Sequence, residues 1–549
     1  MKTNSQNNNS GISGRDGLKL SALVTGALLL AGAAAPMHGG GKPPPPPPPP
    51  PPAGNCYPTH SKTDKYSYYE HLKPMVPWTK NYKGQVSGTP LAPDEMRITF
   101  VGSEFPVARR SQEEMSVFVE VGWDAAKQAP LDQFVFDCGS GVSANYGAVG
   151  IGYGRMNKIF LTHLHGDHMG DLAHIYCFGP ASDRKSPLYL WASGPTGITY
   201  TNPIGQVFGP YDDGVNTFCQ MLRAAMRWHS ESFSFLPTAF TNNPSPGQVK
   251  ADWGLPVDPI PVTDPRAPYD TRYQQADYLD ASFDGYALVP IELDWQKEGI
   301  AYSNATTRVT ITHFPVVHAR RGSMGYKLQW TDPYGLVRSM VFSGDTKPET
   351  NCITQANNGG KGVDVFIHEM ALPPEVIVMK EMGLSEPMGY GTNAFWDGGV
   401  AGAQMVEDSS HTPQGAFGYM LSQITQRPRL TVAAHFNVAD DTVACAYNSV
   451  FAHCPDIGKL GEQLTWAFDL LVLRVTEQNI QQLRADVSDF GWPAAVPLPP
   501  QYLAKYWTWS TNANGSVVAT GDPYAQIDMS NVIPATNSNG TVNFRTDGY

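Results

Sequence analysis

The chain has 549 residues, enough for one large domain with insertions or for two domains. With 41% hydrophobic and only 16% charged residues, it is excluded from the disordered class and has the means to build a sizeable core. A net charge of −12 disfavours a polyanion-binding surface, so nucleic acid is not an expected partner.

The first residues read as an export signal, with Lys2, Arg15 and Lys19 ahead of the apolar stretch Leu20 to Ala35 and cleavage near Ala35. A retained signal anchor is the alternative, although the stretch is short and rich in Ala and Gly beside the roughly 20 apolar residues a spanning helix needs. No later segment has the composition of a transmembrane span, so a periplasmic or extracellular protein is expected. Residues 36–96 read as a Pro-rich linker and N-terminal extension, in which ten prolines, Pro43 to Pro52, form a stiff polyproline II spacer. Seven cysteines (Cys56, Cys138, Cys177, Cys219, Cys352, Cys445 and Cys454) lack the CxxC spacing of a zinc ribbon. In an oxidising compartment they could supply one or two disulfides, with Cys445 and Cys454 the nearest pair.

A main domain is placed over residues 97–482. Its β-rich runs begin with Ile98–Val101, Ser116–Val121, Gln133–Phe136 and Lys158–Leu161. They resume with Leu188–Trp191, Arg308–Thr312, Tyr326–Trp330, Met340–Phe342, Val363–Ile367 and Leu430–Ala434. Helical patterns at Gln414–Gln423 and Gly461–Leu473 make the class α/β. Residues from about 196 to 300 break the rhythm with Pro, Asp, Tyr and Asn and few basic residues, and read either as an insertion that covers or shapes the mouth of a site or as a decorative one. Residues 483–549, rich in Pro, Asn, Thr and Gly, read as an irregular C-terminal extension. The Gly-rich stretch Gly147–Gly154 has no Gly-Lys-Ser/Thr after it, which argues for a turn-rich connection over a phosphate loop.

Chemistry concentrates in residues 162–171, Thr-His-Leu-His-Gly-Asp-His-Met-Gly-Asp, directly after the apolar run Lys158–Leu161. His163, His165, Asp167 and His168 supply nitrogen and oxygen donors suited to zinc and its first-row neighbours, and more of them than one ion takes from a single loop. Two ions are therefore expected, and these need a bridging carboxylate and further imidazoles from other strand ends. Asp345 follows the strand-like Val341-Phe-Ser-Gly, and His318 and His435 each end an apolar run. Singly, each histidine is more often a structural one; their order along the chain favours ligands. His313, five residues before His318, is a competing candidate.

The segment His163-x-His165-x-Asp167-His168 matches without a departure the motif of metallo-β-lactamase-fold hydrolases, which the chain resembles over roughly residues 97–440. The resemblance implies a four-layer αββα sandwich. It also implies two zinc ions, with Mn2+ or Fe2+ as alternatives, one on His163, His165 and His318 and the other on Asp167, His168 and His435, with Asp345 shared. Phe136-Asp-Cys-Gly-Ser-Gly141 is similar to the family's first motif, whose carboxylate, here Asp137, supports the metal loop without binding metal. Within the superfamily, Phe100-Val-Gly-Ser-Glu-Phe-Pro106 with Arg109 and Arg110, Phe366-Ile-His-Glu369 and Ser410-His-Thr-Pro-Gln-Gly-Ala416 are similar to the ribonuclease Z and bacterial arylsulfatase-like branch. There the counterparts of Glu369 and His411 form a pair that helps protonate the leaving group. The stretch Phe134–Lys185 is also similar to the large exported hydrolases associated with guanitoxin biosynthesis. The RNA-processing enzymes carry a basic arm that grips tRNA, whereas residues 196–300 are sparse in Lys and Arg.

The function these features imply is an exported dinuclear zinc hydrolase of small phosphodiester, sulfate or carboxylic ester substrates. A water bridging the two ions would be activated near neutrality, and His411 oriented by Glu369 would donate the leaving-group proton. Asp167 would serve both as ligand and in catalysis. The alternatives are a ribonuclease Z-like endonuclease for tRNA 3′ ends and a non-catalytic zinc-stabilised surface protein. Oligomeric state is not legible in the sequence.

Overall fold

The structure is a computed structural model that describes residues 73–74, 90–106, 108–232, 246–262, 285–458, 461–485, 507–511, 513–514 and 517–521. The export signal, the polyproline spacer, Cys56 and most of the N-terminal and C-terminal extensions lie outside the described residues. Contacts divide the chain into two compact units, one of residues 1–231 and 238–487, the other of residues 232–237 and 488–549.

The first unit begins with β1 (Lys73–Pro74), β2 (Met96–Gly102), β3 (Ser116–Val121), β4 (Asp132–Phe136), β5 (Lys158–Phe160) and β6 (Leu188–Ser193). A short ribbon, β7 (Tyr200–Thr201) with β8 (Val207–Phe208), precedes β9 (Leu288–Leu293). Then come β10 (Gly299–Asn304), β11 (Val309–Pro315), β12 (Met324–Thr331), β13 (Val337–Phe342), β14 (Val365–Glu369) and β15 (Leu430–Ala434). The last strands are β16 (Leu464–Trp466), β17 (Leu471–Val475) and β18 (Ile480–Arg484). One sheet runs β1-β18-β17-β2-β3-β4-β5-β6-β9 and the other β10-β11-β12-β13-β14-β15-β16.

Each sheet has a parallel half, β4-β5-β6-β9 and β13-β14-β15-β16, beside strands that pair antiparallel apart from the parallel edge pair β1-β18. Parallel strands need both faces covered, and the near-continuous apolar runs noted in the sequence are what that demands. β2, β3, β14 and β15 are buried along their whole lengths. One face meets the other sheet: Trp191 Nε1 donates to the Ala301 carbonyl at 2.9 Å and the Tyr326 hydroxyl to the Leu161 carbonyl at 2.8 Å. Phe136 and Tyr326 pack across the same interface with ring centres 5.8 Å apart. Helices cover the outer faces, Val142–Val149 on β2, Val215–Ala225 on β6 and β9, and Thr350–Asn357 on β13. The arrangement is the α/β sandwich expected of the metallo-β-lactamase fold.

Four readings differ from the sequence expectation. Gly461–Leu473 is not a helix but supplies β16, parallel to β15, and the start of β17, antiparallel to β2, with Leu470 at φ 66° breaking the chain between them. Helix propensity is worth tenths of a kcal/mol per residue, whereas burying Leu464, Trp466, Leu471 and Leu473 stabilises by about 1.5–3 kcal/mol each, so the sheet wins. The stretch read as an insertion ends earlier, because Leu288–Leu293 is β9 and Gly299 opens the second sheet. Pro290 obscured that strand; it is tolerated because β9 lies at the sheet edge. The C-terminal extension is not wholly irregular: Trp507–Thr511 and Val517–Gly521 form an antiparallel ribbon in the second unit. None of the six described cysteines is bridged; Cys445 and Cys454 are separately buried, Cys445 accepting a weak contact from Gln414 Nε2 at 3.8 Å.

Candidate metal centre

The C-terminal ends of the parallel strands of both sheets meet, the place where open α/β sheets carry their sites. β4 leads into Asp137, β5 into His163 and the helix Gly166–Met169, β13 into Asp345, and β15 into His435. Asp137 (φ 58°) and His435 (φ 53°) are two of six described non-glycine residues in the left-handed region, strain that tends to gather at functional sites. Gly344, at φ 59°, permits the approach of the two sheets here, since a Cβ on it would lie 2.5 Å from Thr162 Cβ.

Two donor groups result. His163, His165 and His318 form one, and Asp167, His168, Asp345 and His435 the other, each with ligand atoms within 4.8 Å of one another. Asp345 Oδ2 lies between them, 3.2 Å from His168 Nε2 and 3.5 Å from His435 Nε2, and 3.9 Å from Nε2 of both His163 and His318. Asp167 Oδ2 is 3.1 Å from His435 Nε2 and 3.3 Å from His168 Nε2. His318 Nε2 is 3.1 Å from His165 Nδ1.

The donors fit a resident cation. His163 Nε2, His168 Nε2 and Asp345 Oδ1 are buried without a hydrogen-bond partner, which a protein fold rarely leaves uncompensated. Burial holds His163 well below the ordinary imidazole pKa and His318 down to about 4, so both are neutral and able to bind metal. Burial opposes the ionisation of Asp345 and Asp167, but His168 beside each keeps both carboxyls well below the usual range. His165 is exposed and His318 half-buried, which opens the group on their side.

Supporting contacts fix the rings. His168 Nδ1 donates to Asp137 Oδ2 at 2.8 Å, which turns Nε2 toward Asp167 and Asp345; burial opposes its protonation, but the three carboxylates outweigh it and raise the imidazole well above its usual range, and a cation bound there would take the place of the Nε2 proton. Asp137 also accepts from the Thr162 backbone N–H at 2.7 Å and hydroxyl at 2.8 Å, so one carboxylate locks both the loop and the ring. His318 Nδ1 donates to the Ser410 carbonyl at 2.9 Å. Glu369, at the end of β14, accepts from His411 Nδ1 at 3.0 Å and from the Thr346 N–H at 2.6 Å. Burial works against protonation of His411, but the Glu369 carboxylate outweighs it and lifts the imidazole to about 9. A ring nitrogen of His411 also lies within 4.8 Å of donor atoms of His318 and Asp345, so the imidazole borders the metal-binding cluster.

The structure thus gathers His163, His165, Asp167, His168, His318, Asp345 and His435, with Asp137 behind His168 and Glu369 behind His411. His313 is not among them; it lies in β11 opposite Gly299 and is in none of the donor groups among the described residues. Sequence reasoning missed Thr162, Ser410 and Phe105. Thr162 carried a signal, a hydroxyl next to the first ligand at the end of an apolar strand. The Ser410 carbonyl and the Phe105 ring carried none, because their contacts come from residues 92 and more than 300 positions away.

Residues 132–176, which hold β4, β5 and the four donors of the loop, match the family model described as Metallo-beta-lactamase superfamily. Over those residues the chain matches the domain of that superfamily. Among curated relatives it is similar to Ribonuclease BN of Citrobacter koseri, 24% identical over 277 residues that make up 50% of this chain and 77% of that protein. It is similar also to Ribonuclease Z of Methanothermobacter thermautotrophicus, 30% identical over 103 residues, 19% of this chain and 32% of that protein. Among solved structures, the short form of human tRNase Z superposes with a TM-score of 0.37 at 15% identity, covering 68% of this chain and 98% of that one.

Proposed function

We propose that the chain is an exported, dinuclear metal-dependent hydrolase of small phosphodiesters, with sulfate and carboxylic esters as the neighbouring substrate class. The observation that carries this reading is Asp345, whose Oδ2 stands between two donor groups while its buried Oδ1 has no partner. His163, His165 and His318 would hold one cation and Asp167, His168 and His435 the other, with Asp345 shared and zinc the expected metal. Two such cations would supply a water activated near neutrality and positive charge for the developing negative charge.

The chain's own residues do the rest. Asp137 and the Ser410 carbonyl hold His168 and His318 in one tautomer each. Glu369, itself held by the Thr346 N–H, keeps His411 protonated and aimed at the cluster. His411 gives that proton to the departing oxygen, a contribution of about 10²–10⁴-fold in comparable acids. Export is supported by the pattern from Lys2 to Ala35.

Asp345→Ala is expected to lose bound metal and hydrolytic activity together; metal analysis beside a panel of phosphodiester, sulfate ester, lactone and β-lactam substrates tests it, and full activity in metal-free protein overturns it. His411→Ala is expected to slow substrates with poor leaving groups more than nitrophenyl esters, and equal slowing removes the acid role. A second reading, cleavage at tRNA 3′ ends, is favoured by the names of the relatives and opposed by the net charge of −12. Precise cleavage of precursor tRNA by the purified protein would establish it.

A further inference from the structure

Among the described residues, Phe105 is the one apolar side chain with ring contacts to the histidines of the site, and the fold holds it there firmly. It sits in the connection from β2 to β3. Within that connection Arg109 Nε donates to Glu104 Oε2 at 2.7 Å and Arg109 Nη2 to Gln112 Oε1 at 2.8 Å. The connection is then sewn to the residues that follow His435. Gln112 Nε2 donates to the Phe436 carbonyl at 2.9 Å, Gln112 Oε1 accepts from the Val438 N–H at 3.0 Å, and Asn437 Nδ2 donates to Glu104. The Phe436 N–H closes the same seam on the Ser103 carbonyl at 3.2 Å.

From this mount the Phe105 ring meets His411 edge-on, centres 5.6 Å apart, and His435 edge-on at 5.2 Å, while those two imidazoles stack on each other at 5.4 Å. His411 and His435 are buried, but Phe105 remains partly exposed. The ring therefore keeps exposed surface beside the His411 and His435 rings that it contacts. The cation nearest in sequence that could draw a charged group to this side, Arg109, is engaged by Glu104 and Gln112.

Resting on the hydrolase reading above, we propose that Phe105 is the wall of a subsite for an apolar, planar leaving group, so that the preferred substrates are phosphodiesters whose departing alcohol carries a ring. In the step this serves, the oxygen of water forms a bond to phosphorus and the bond from phosphorus to the ring-bearing oxygen breaks. That oxygen keeps the bonding pair and takes the His411 proton, and the proton lost by water restores His411. Phe105 takes no part in the proton transfer; it positions the departing group against His411 through ring contact and exclusion of water.

The experiment compares metal-replete wild type, Phe105→Ala and Phe105→Leu in two measurements, competitive inhibition by phenylphosphonate and by methylphosphonate, and kcat and KM for phenyl and methyl phosphodiesters. Phe105→Ala is expected to weaken phenylphosphonate about three- to tenfold, the range of an aromatic pair contact, and to leave methylphosphonate unchanged. Phe105→Leu should fall between. Equal weakening of both inhibitors, or of neither, overturns the subsite, because a ring that only shields the histidines from water would not distinguish them. If wild type binds neither phosphonate and hydrolyses no phosphodiester, it is the hydrolase reading that has failed. Unchanged thermal unfolding of Phe105→Leu keeps the comparison free of a folding defect.

Discussion

Replacing Asp137 with Asn separates a structural role from a role in metal binding. The wild-type carboxylate accepts three hydrogen bonds, two from Thr162 and one from His168 Nδ1 at 2.8 Å. An Asn amide of the same shape can still accept from the Thr162 N–H through its oxygen. Its NH2 group then faces the Thr162 hydroxyl and His168 Nδ1, where a donor stood before. The hydroxyl can rotate, but the imidazole must move its proton to Nε2, the atom 3.2 Å from Asp345 and 3.3 Å from Asp167. That proton sits where a cation would bind. Losing one hydrogen bond to a charged group is worth about 1.5–3 kcal/mol, equivalent to roughly 10- to 100-fold in affinity and matching the usual cost of removing a metal ligand's support. In metal-free protein the same Nε2–H can donate to either carboxylate, so the apo form should lose less stability than the metal-bound form. The assay is competition with a graded series of chelators, alongside denaturant unfolding with and without metal. Affinity within twofold of wild type would refute the account, as would equal destabilisation of the two forms.

Two further substitutions test other parts of the structure. Gly344→Ala places a Cβ 2.5 Å from Thr162 at a left-handed backbone position; strain and overpacking together should destabilise by about 2–5 kcal/mol, and a denaturant midpoint unchanged within error would remove the close approach as a constraint. Glu407 is buried with one oxygen unpartnered, and burial raises its carboxyl to about 9. The unfolded chain releases that proton near the ordinary carboxylate value while the folded chain keeps it, so wild-type stability is fully present at acid pH and declines as pH rises toward 9. Glu407→Gln cannot ionise, and its stability relative to wild type should grow by up to about 1.4 kcal/mol per pH unit between about pH 5 and 9. Parallel stability–pH curves for the two proteins would show that Glu407 is already ionised in the fold.

How much of this was legible in the sequence depends on the range of the forces involved. The loop His163–His168 was readable because its donors are neighbours, and Asp345, His318 and His435 because each ends an apolar run, whereas Asp137 was reachable only through resemblance. Glu369 and His411 were reachable only through resemblance; their 3.0 Å contact joins residues 42 positions apart. β9 and β16 were lost because Pro290 and the helix formers around Leu464 speak locally against strands, and burial in the sheets outweighs them.

By itself, the sequence determined which residues could carry metal chemistry and that the strands holding them would be buried, since periodicity and donor type are local properties. The tertiary structure alone decided that Asp345 stands between two groups of imidazoles, that the Ser410 carbonyl orients His318, and that the connection carrying Phe105 is sewn to the residues after His435. Those relations are distances between parts of the chain that meet only when the two sheets close on each other, and no local pattern encodes them.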